Sequence, residues 1–219
     1  MIKLNILIAG VGGQGVVLAS DIIGETALEA GLQVKKTDTL GMAQRGGSVI
    51  THLRIGEKVA SPLVSEGEAD ILLAFEKLEA ARWSGYLRSG ANAIVNDLSI
   101  PPLSVSLGSE SYPKDDEIMQ ILRQRVAEVM LIEGSRHAAE IGNPKVLNIV
   151  MLGALSMLMP FNTELWERVI ARRLPPKILD INLSAFDSGR HEMLRILDGT
   201  PGEGGCASKT QDGGCSCHH

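Results

Sequence analysis

Ile6-Leu-Ile-Ala-Gly10-Val-Gly12-Gly13-Gln14-Gly15 decides how this chain folds. An apolar run without charge ends in Gly10-x-Gly12-x-x-Gly15, which reads as a buried strand, a glycine-rich turn and a helix opening near Gly13. The pattern predicts a strand over 4–9 and a helix over 13–31, with Val16, Ser20, Ile23, Ala27 and Ala30 on one face. Small residues there allow close packing on a sheet. Gly31 stops the helix in the usual C-terminal position. Residues 32–37 form a second strand, which gives a β-α-β unit of the length a dinucleotide fold uses. A turn of this kind points bare N–H groups and a helix N-terminus at one spot, which suits a phosphate. In the plainer alternative the glycines only permit tight strand-to-helix packing.

A nicotinamide dinucleotide needs an acid about 20 residues on to hold its ribose hydroxyls. The second strand delivers Lys35 and Lys36 instead, and Asp38 arrives late. Lysine tolerates a phosphate better than a bare diol, so the pattern tilts toward a more phosphorylated ligand. Residues 39–47 form a loop holding Arg45-Gly46-Gly47. An arginine beside two glycines lets guanidinium and backbone converge on one anion; the alternative is a plain turn with a solvated arginine. Both loops are expected at the carboxyl edge of the sheet, where open α/β folds bind ligands.

Further along, residues 48–55 alternate in the manner of a half-buried strand. Residues 70–75 read as a strand buried on both faces, with 91–96 and 126–132 as further strands. Helices are expected over 78–87, 115–123, 135–141, 144–159, 163–174 and 177–197, with a break at Pro101-Pro102. Strands alternate with helices, then helices accumulate. This is an α/β, Rossmann-like fold with a mostly parallel sheet and a helical C-terminal layer. Residues 1–198 form the domain; the Gly-rich segment 199–219 has almost no large apolar side chain and reads as a disordered tail.

The chain has 219 residues, 44% hydrophobic, with 3% aromatics and a net charge of −5. Scarce aromatics and negative charge argue against nucleic acid. The longest apolar stretch, 146–159, carries Asn148 and Gly153 and is too short to span a bilayer. No apolar leader precedes the first strand, and residues 1–205 hold no cysteine, which implies a reducing cytoplasm. Cys206, Cys215 and Cys217 all fall in the tail. Cys215-x-Cys217-His218-His219 concentrates soft ligands, but its spacing is not that of a structural zinc site, and no metal is expected. His52 and His137 read as structural or surface histidines. Asp115-Asp116-Glu117 reads as an acidic helix start, and Arg172-Arg173 as an exposed helix end. No nucleophile–base pair or spaced carboxylate pair stands out, so no catalytic residue is assigned.

Gly10-Val-Gly-Gly-Gln-Gly15 followed by Gly41-Met-Ala-Gln-Arg-Gly-Gly-Ser-Val49 resembles the gamma-type subunit of the 2-oxoacid:ferredoxin oxidoreductases. Within that family the chain is most similar to the beta subunits of the indolepyruvate enzymes. Residues 69–76, 93–97 and 148–154 support the likeness, which covers 4 to about 197. The resemblance implies a subunit that is inactive alone. The family decarboxylates a 2-oxoacid oxidatively with coenzyme A and passes the electrons to ferredoxin. Thiamine diphosphate and 4Fe-4S iron–sulfur clusters would lie on a larger partner, in a heterotetramer of two large and two small subunits. The missing cysteines agree with a cluster-free role. The resemblance further implies that Gly12, Gly13, Gln14 and Gly15, with Arg45, Gly46, Gly47 and Asn148, receive coenzyme A. Two alternatives stand: a gamma subunit for pyruvate, 2-oxoglutarate or branched 2-oxoacids, and a stand-alone nucleotide-binding regulatory module.

Overall fold

The structure, a computed structural model, describes residues 2–40 and 46–199. The chain runs β1 (Lys3–Val11), α1 (Val16–Glu29), β2 (Gln33–Leu40), β3 (Ser48–Gly56), β4 (Ala69–Ala74) and α2 (Lys77–Trp83). It continues through β5 (Leu87–Asn96), α3 (Leu103–Ser106), α4 (Asp115–Arg123), β6 (Val126–Ile132) and α5 (Gly134–Glu140). Three helices close it: α6 (Leu147–Ser156), α7 (Thr163–Arg173) and α8 (Leu179–Leu197).

The six strands form one sheet in the order β2-β3-β1-β4-β5-β6. β1, β4, β5 and β6 pair in parallel, as expected for an α/β fold. The expected β-α-β unit is only partly realised. β2 does run in the direction of β1, but β3 lies between them, antiparallel to both. That position explains a second difference. Residues 48–55 alternate like a half-buried strand, yet β3 is buried along most of its length because it is an interior strand with neighbours on each side.

Successive side chains of each strand point to opposite faces. Ile6, Ile8, Ile71, Leu73 and Ile94 face α1 and the helices α5 to α8. Leu7, Ala9, Leu72, Ala93 and Val95 face Ala80 of α2 and Ile118 and Leu122 of α4. The accumulation of C-terminal helices therefore thickens one layer. Within it α6 is buried throughout and crosses α8 at van der Waals distance. A Cβ at Gly153 would lie 2.0 Å from the Phe186 carbonyl oxygen, and one at Gly189 would lie 1.8 Å from that of Val150. Only glycine at both positions lets the two backbones meet.

Helix α1 starts at Val16 rather than near Gly13, because Gly13 and Gly15 take positive φ, which ends helical geometry. Its other end follows the reading at Gly31. The Gly31 and Leu32 N–H groups return to the carbonyls of Leu28 and Ala27 at 3.0 and 3.1 Å, the reverse turn that closes many helices. Arg172 and Arg173 lie at the exposed end of α7, as expected, but they are not unpaired there. With Arg168 they reach across to Asp21, Glu25 and Glu29 on α1, tying α7 to it.

Two expected elements also shift. The helix expected over 78–87 ends at Trp83, and β5 already begins at Leu87. A single 3-10 turn, Ser84–Tyr86, joins them.

A glycine cradle at the carboxyl edge of the sheet

β1 ends at Val11, and the chain turns through Gly12–Gly15 into α1. Gln14 fixes the turn. Its Oε1 accepts the Val11 N–H at 2.7 Å, and its Nε2 donates to the Phe75 carbonyl at 3.0 Å, just past β4. Asn96, at the end of β5, donates to the same carbonyl at 3.1 Å and to Ser135 Oγ at 3.0 Å. Its Oδ1 accepts the Ser135 N–H at 3.1 Å. Two amide side chains thus clamp the ends of β1, β4 and β5 and the start of α5. Gln14 shapes the loop with its side chain and leaves backbone, not side chain, for a ligand.

The two glycine loops join, as their sequence positions suggest. Gly12 N–H donates to the Gly47 carbonyl at 2.8 Å, and Gly46 N–H to the Gly12 carbonyl at 3.4 Å. Ser48 then enters β3 opposite Val11. Asn148, on the first turn of α6, reaches the same place from the other side. A Cβ at Gly15 would lie 2.8 Å from its Nδ2. Asn148 is buried, and its Oδ1 accepts the Ile149 N–H at 3.0 Å. Gly12, Gly13, Gln14, Gly15, Gly46, Gly47 and Asn148 therefore gather in one region, while Arg45 lies outside the described residues.

The arrangement fits an anion. The N–H groups of Gly13, Gly15, Val16 and Val17 have no hydrogen-bond partner among the described residues. They sit at the positive end of α1. Beside them opens a cavity of about 330 Å³ lined by Val11, Gly12, Gly13, Gly15, Val16, Val17 and Val49. Backbone donors at one end and valine walls along the sides suit a ligand with a charged and an apolar part.

The lysine argument needs correcting. Lys36 is held by Asp21 and by Asp38, the latter at 3.1 Å, and donates to Ser20 Oγ at 3.0 Å. Asp38 in turn accepts the Thr51 hydroxyl at 2.6 Å. Lys36 is therefore matched by acids of the fold and is not offered to a phosphate, and Lys35 faces solvent.

Sequence reading missed the acids beside the cradle. Glu76 follows β4 directly and is 1% exposed. Its Oε2 accepts the Glu79 N–H at 2.8 Å, and its Oε1 accepts the Ile100 N–H at 3.0 Å and the Tyr112 hydroxyl. Burial, then this hydrogen bond, pushes the Tyr112 phenol up to about 12. Next to it Lys77 is buried between Asp97 and Asp115, each at 2.8 Å. Burial alone would pull its amine down, but the bonds to Asp115 and Asp97 outweigh it and leave the pKa raised. The signal was present as an acid straight after a buried strand and a second acid three residues on, a helix-start spacing.

The histidines behave as structural groups. His52 is buried on β3, accepts the Val64 N–H at 3.3 Å on Nδ1 and meets the edge of Tyr86; burial lowers its pKa. His137 lies in a polar cleft between α5 and α8, where Ser188 Oγ sits 3.0 Å from its Nδ1 and Glu192 Oε2 is 3.5 Å from Nε2. This hydroxyl–imidazole contact was not foreseen. Ser188 lies mid-helix, where backbone N–H groups are spent within the helix, so no oxyanion-binding donors accompany it. Among the described residues no three His, Cys, Asp or Glu side chains are placed to hold a metal. The Cys215–His219 run lies outside the described residues, as does the rest of the tail after Gly199. No helix among them is long and apolar enough to cross a membrane.

The family model for pyruvate ferredoxin/flavodoxin oxidoreductase matches residues 5–192, and the chain belongs to that family. It is 40% identical over 202 residues, 90% of this chain and 100% of the relative, to an indolepyruvate oxidoreductase subunit IorB of Pyrococcus horikoshii. To the subunit of that name from Thermococcus kodakarensis it is 41% identical over 192 residues, 86% of this chain and 95% of the relative. The fold matches the gamma subunit of a keto/oxoacid ferredoxin oxidoreductase from Geobacter sulfurreducens, with a TM-score of 0.65 and 24% identity. That match covers 87% of this chain and 98% of the other. The class is thus the gamma-type subunit of the 2-oxoacid:ferredoxin oxidoreductases. Within it the chain is homologous to the IorB subunits and is one part of an oxidoreductase rather than a whole enzyme.

Proposed function

We propose that this chain is the small, cluster-free subunit of an indolepyruvate:ferredoxin oxidoreductase of the cytoplasm. It works beside a larger subunit that carries thiamine diphosphate and the 4Fe-4S clusters, with two copies of each subunit in the assembly. Together they oxidise aryl 2-oxoacids with coenzyme A and pass the electrons to ferredoxin. The observation that carries this reading is the identity of 40% to an IorB subunit over 90% of the chain.

In this reading the domain is residues 1–198, and its task is to receive coenzyme A and close the shared site. The N–H groups of Gly13, Gly15 and Val16 take the diphosphate, supported by the partial positive charge of α1. Gln14 and Asn148 hold the loop in shape, and Arg45, Gly46 and Gly47 take a second phosphate oxygen. The valine-lined cavity of about 330 Å³ accepts one part of a long ligand, at the small end of the ~300–1,000 Å³ of ligand sites. No residue of this chain performs the decarboxylation or the electron transfer.

The test is to produce the chain with its large subunit and follow dye or ferredoxin reduction with several 2-oxoacids. Turnover of indolepyruvate well ahead of pyruvate and 2-oxoglutarate is expected; preference for 2-oxoglutarate would overturn the substrate assignment. Titration of the complex with coenzyme A tests the cradle, and unchanged affinity in Arg45→Ala would remove Arg45 from it.

A further inference from the structure

We propose that Glu79 is a positioning residue for coenzyme A, acting through Ser48 to hold the second glycine loop against the first. The inference rests on the cradle described under the proposed function and adds a residue that touches no ligand.

Glu79 lies on the first turn of α2, on the face of the sheet opposite α1, and is 4% exposed. Its carboxylate is fully engaged. Oε2 accepts the Ser48 hydroxyl at 2.5 Å and the Trp83 indole N–H at 3.3 Å, and Oε1 pairs with Arg82 at 3.0 Å. Its backbone N–H is fixed by Glu76, so the side chain starts from a rigid turn. A buried carboxylate held this way has little freedom to follow a moving partner.

Ser48 is the first residue of β3, directly after Gly46-Gly47. Those two glycines touch Gly12 only by backbone hydrogen bonds, at 2.8 and 3.4 Å. Glycines lack side chains to pack, so the loop takes its place from its anchors. On the β3 side the backbone pairs with β1 at Val11, and the Ser48 hydroxyl, tied to Glu79, is the side-chain anchor. A chain of contacts therefore runs from Glu79 through Ser48 and Gly47 to Gly12, ending in the loop whose N–H groups face the cavity. Releasing it lets Gly46-Gly47 drift from Gly12, while the N–H groups at the start of α1 stay in place under Gln14. The loss should fall on coenzyme A and not on the 2-oxoacid.

The assembled complex with its large subunit is the material for the test. Ser48→Ala removes the hydroxyl with little change of volume, and Ser48→Thr restores one on a strand-compatible side chain. Losing one engaged hydrogen bond is expected to raise the KM for coenzyme A about fivefold. kcat and the KM for the 2-oxoacid stay within about twofold, and Ser48→Thr recovers most of the loss. Glu79→Gln is expected to raise the same KM, and Ser48→Ala with Glu79→Gln to do little more than either, because both cut one link.

A Ser48→Ala complex with unchanged KM for coenzyme A overturns the proposal, whatever its melting temperature. A uniform fall in kcat with KM intact overturns it as well. Arg45→Ala separates this inference from the one beneath it. If Arg45→Ala weakens coenzyme A binding and Ser48→Ala does not, only the positioning role fails. If neither variant affects binding, the cradle assignment itself is wrong.

Discussion

Two regions of this molecule depend on glycine, and they need it for opposite reasons. Where α6 crosses α8, Gly153 and Gly189 remove side chains so that backbone can touch backbone in a dry interior. At the carboxyl edge, Gly13 and Gly15 adopt positive φ so that the chain can turn sharply and leave N–H groups facing outward. The first contact is apolar, and its worth is packing density. The second is held by polar side chains, Gln14, Asn96 and Asn148, with Glu79 behind them, and it leaves donors without a partner among the described residues. A glycine therefore says nothing about function until its surroundings are known. One whose missing Cβ would strike a carbonyl serves the core; one in left-handed geometry beside donors without a partner among the described residues suits an anion.

That contrast can be broken by substitution. Gly189→Ala should have the largest effect, because its methyl would meet the Val150 carbonyl at 1.8 Å. Overpacking of this kind costs about 3 kcal/mol, which is roughly 6–12 °C in a chain of this size. Thermal unfolding of the complex measures it, and a fall below about 2 °C would show that the helices can slide apart cheaply.

Gly15→Ala comes next. It forces an alanine into left-handed geometry and presses on Asn148 Nδ2, for about 2 kcal/mol. Asn148→Gly in the same chain should return the steric share and leave the conformational share. Additive losses in the double mutant would mean that Gly15 and Asn148 do not feel each other.

Gln14→Ala should cost about 1–2 kcal/mol by stripping partners from the Val11 N–H and the Phe75 carbonyl. Denaturant unfolding reports the loss, and a larger loss of coenzyme A affinity in the same variant would confirm that the loop, and not the core, was disturbed.

The last effect is confined to high pH. The folded-state pKa of Tyr112, about 12, is raised above the ordinary 10.0, so its contribution to stability is complete below pH 10. It is lost as pH rises from about 10 to about 12. Ultraviolet titration should show the late step, Tyr112→Phe should abolish it, and Glu76→Gln should move it downward.

Much of this was legible in the sequence, for a physical reason. Helix and strand follow from periodicity and glycine from φ, and both are local. Gly31 closing a helix, the buried run of β4, the acids opening α4 and the three C-terminal helices needed only their neighbours in sequence. The glycine turn at the carboxyl edge was legible too, because the glycine pattern between strand and helix is itself local. The misses share another character. Lys36 was read against a ligand when its partners are Asp21 and Asp38, and the partners of Arg172 and Arg173 on α1 were not foreseen. Glu76 and Glu79 were passed over because their value depends on Ser48, Ile100 and Tyr112.

The sequence alone determined that this is an α/β domain with a phosphate-suited glycine loop and no cysteine in its body. The family followed from two glycine motifs in order. Only the tertiary structure decided that β3 separates β2 from β1, and that Gly12 bonds to Gly47. It also decided that Asn148 closes on Gly15 and that Glu79 stands behind the second loop. Those contacts join segments tens of residues apart, and a hydrogen bond between them is set by where the sheet carries each chain end. No local propensity encodes it.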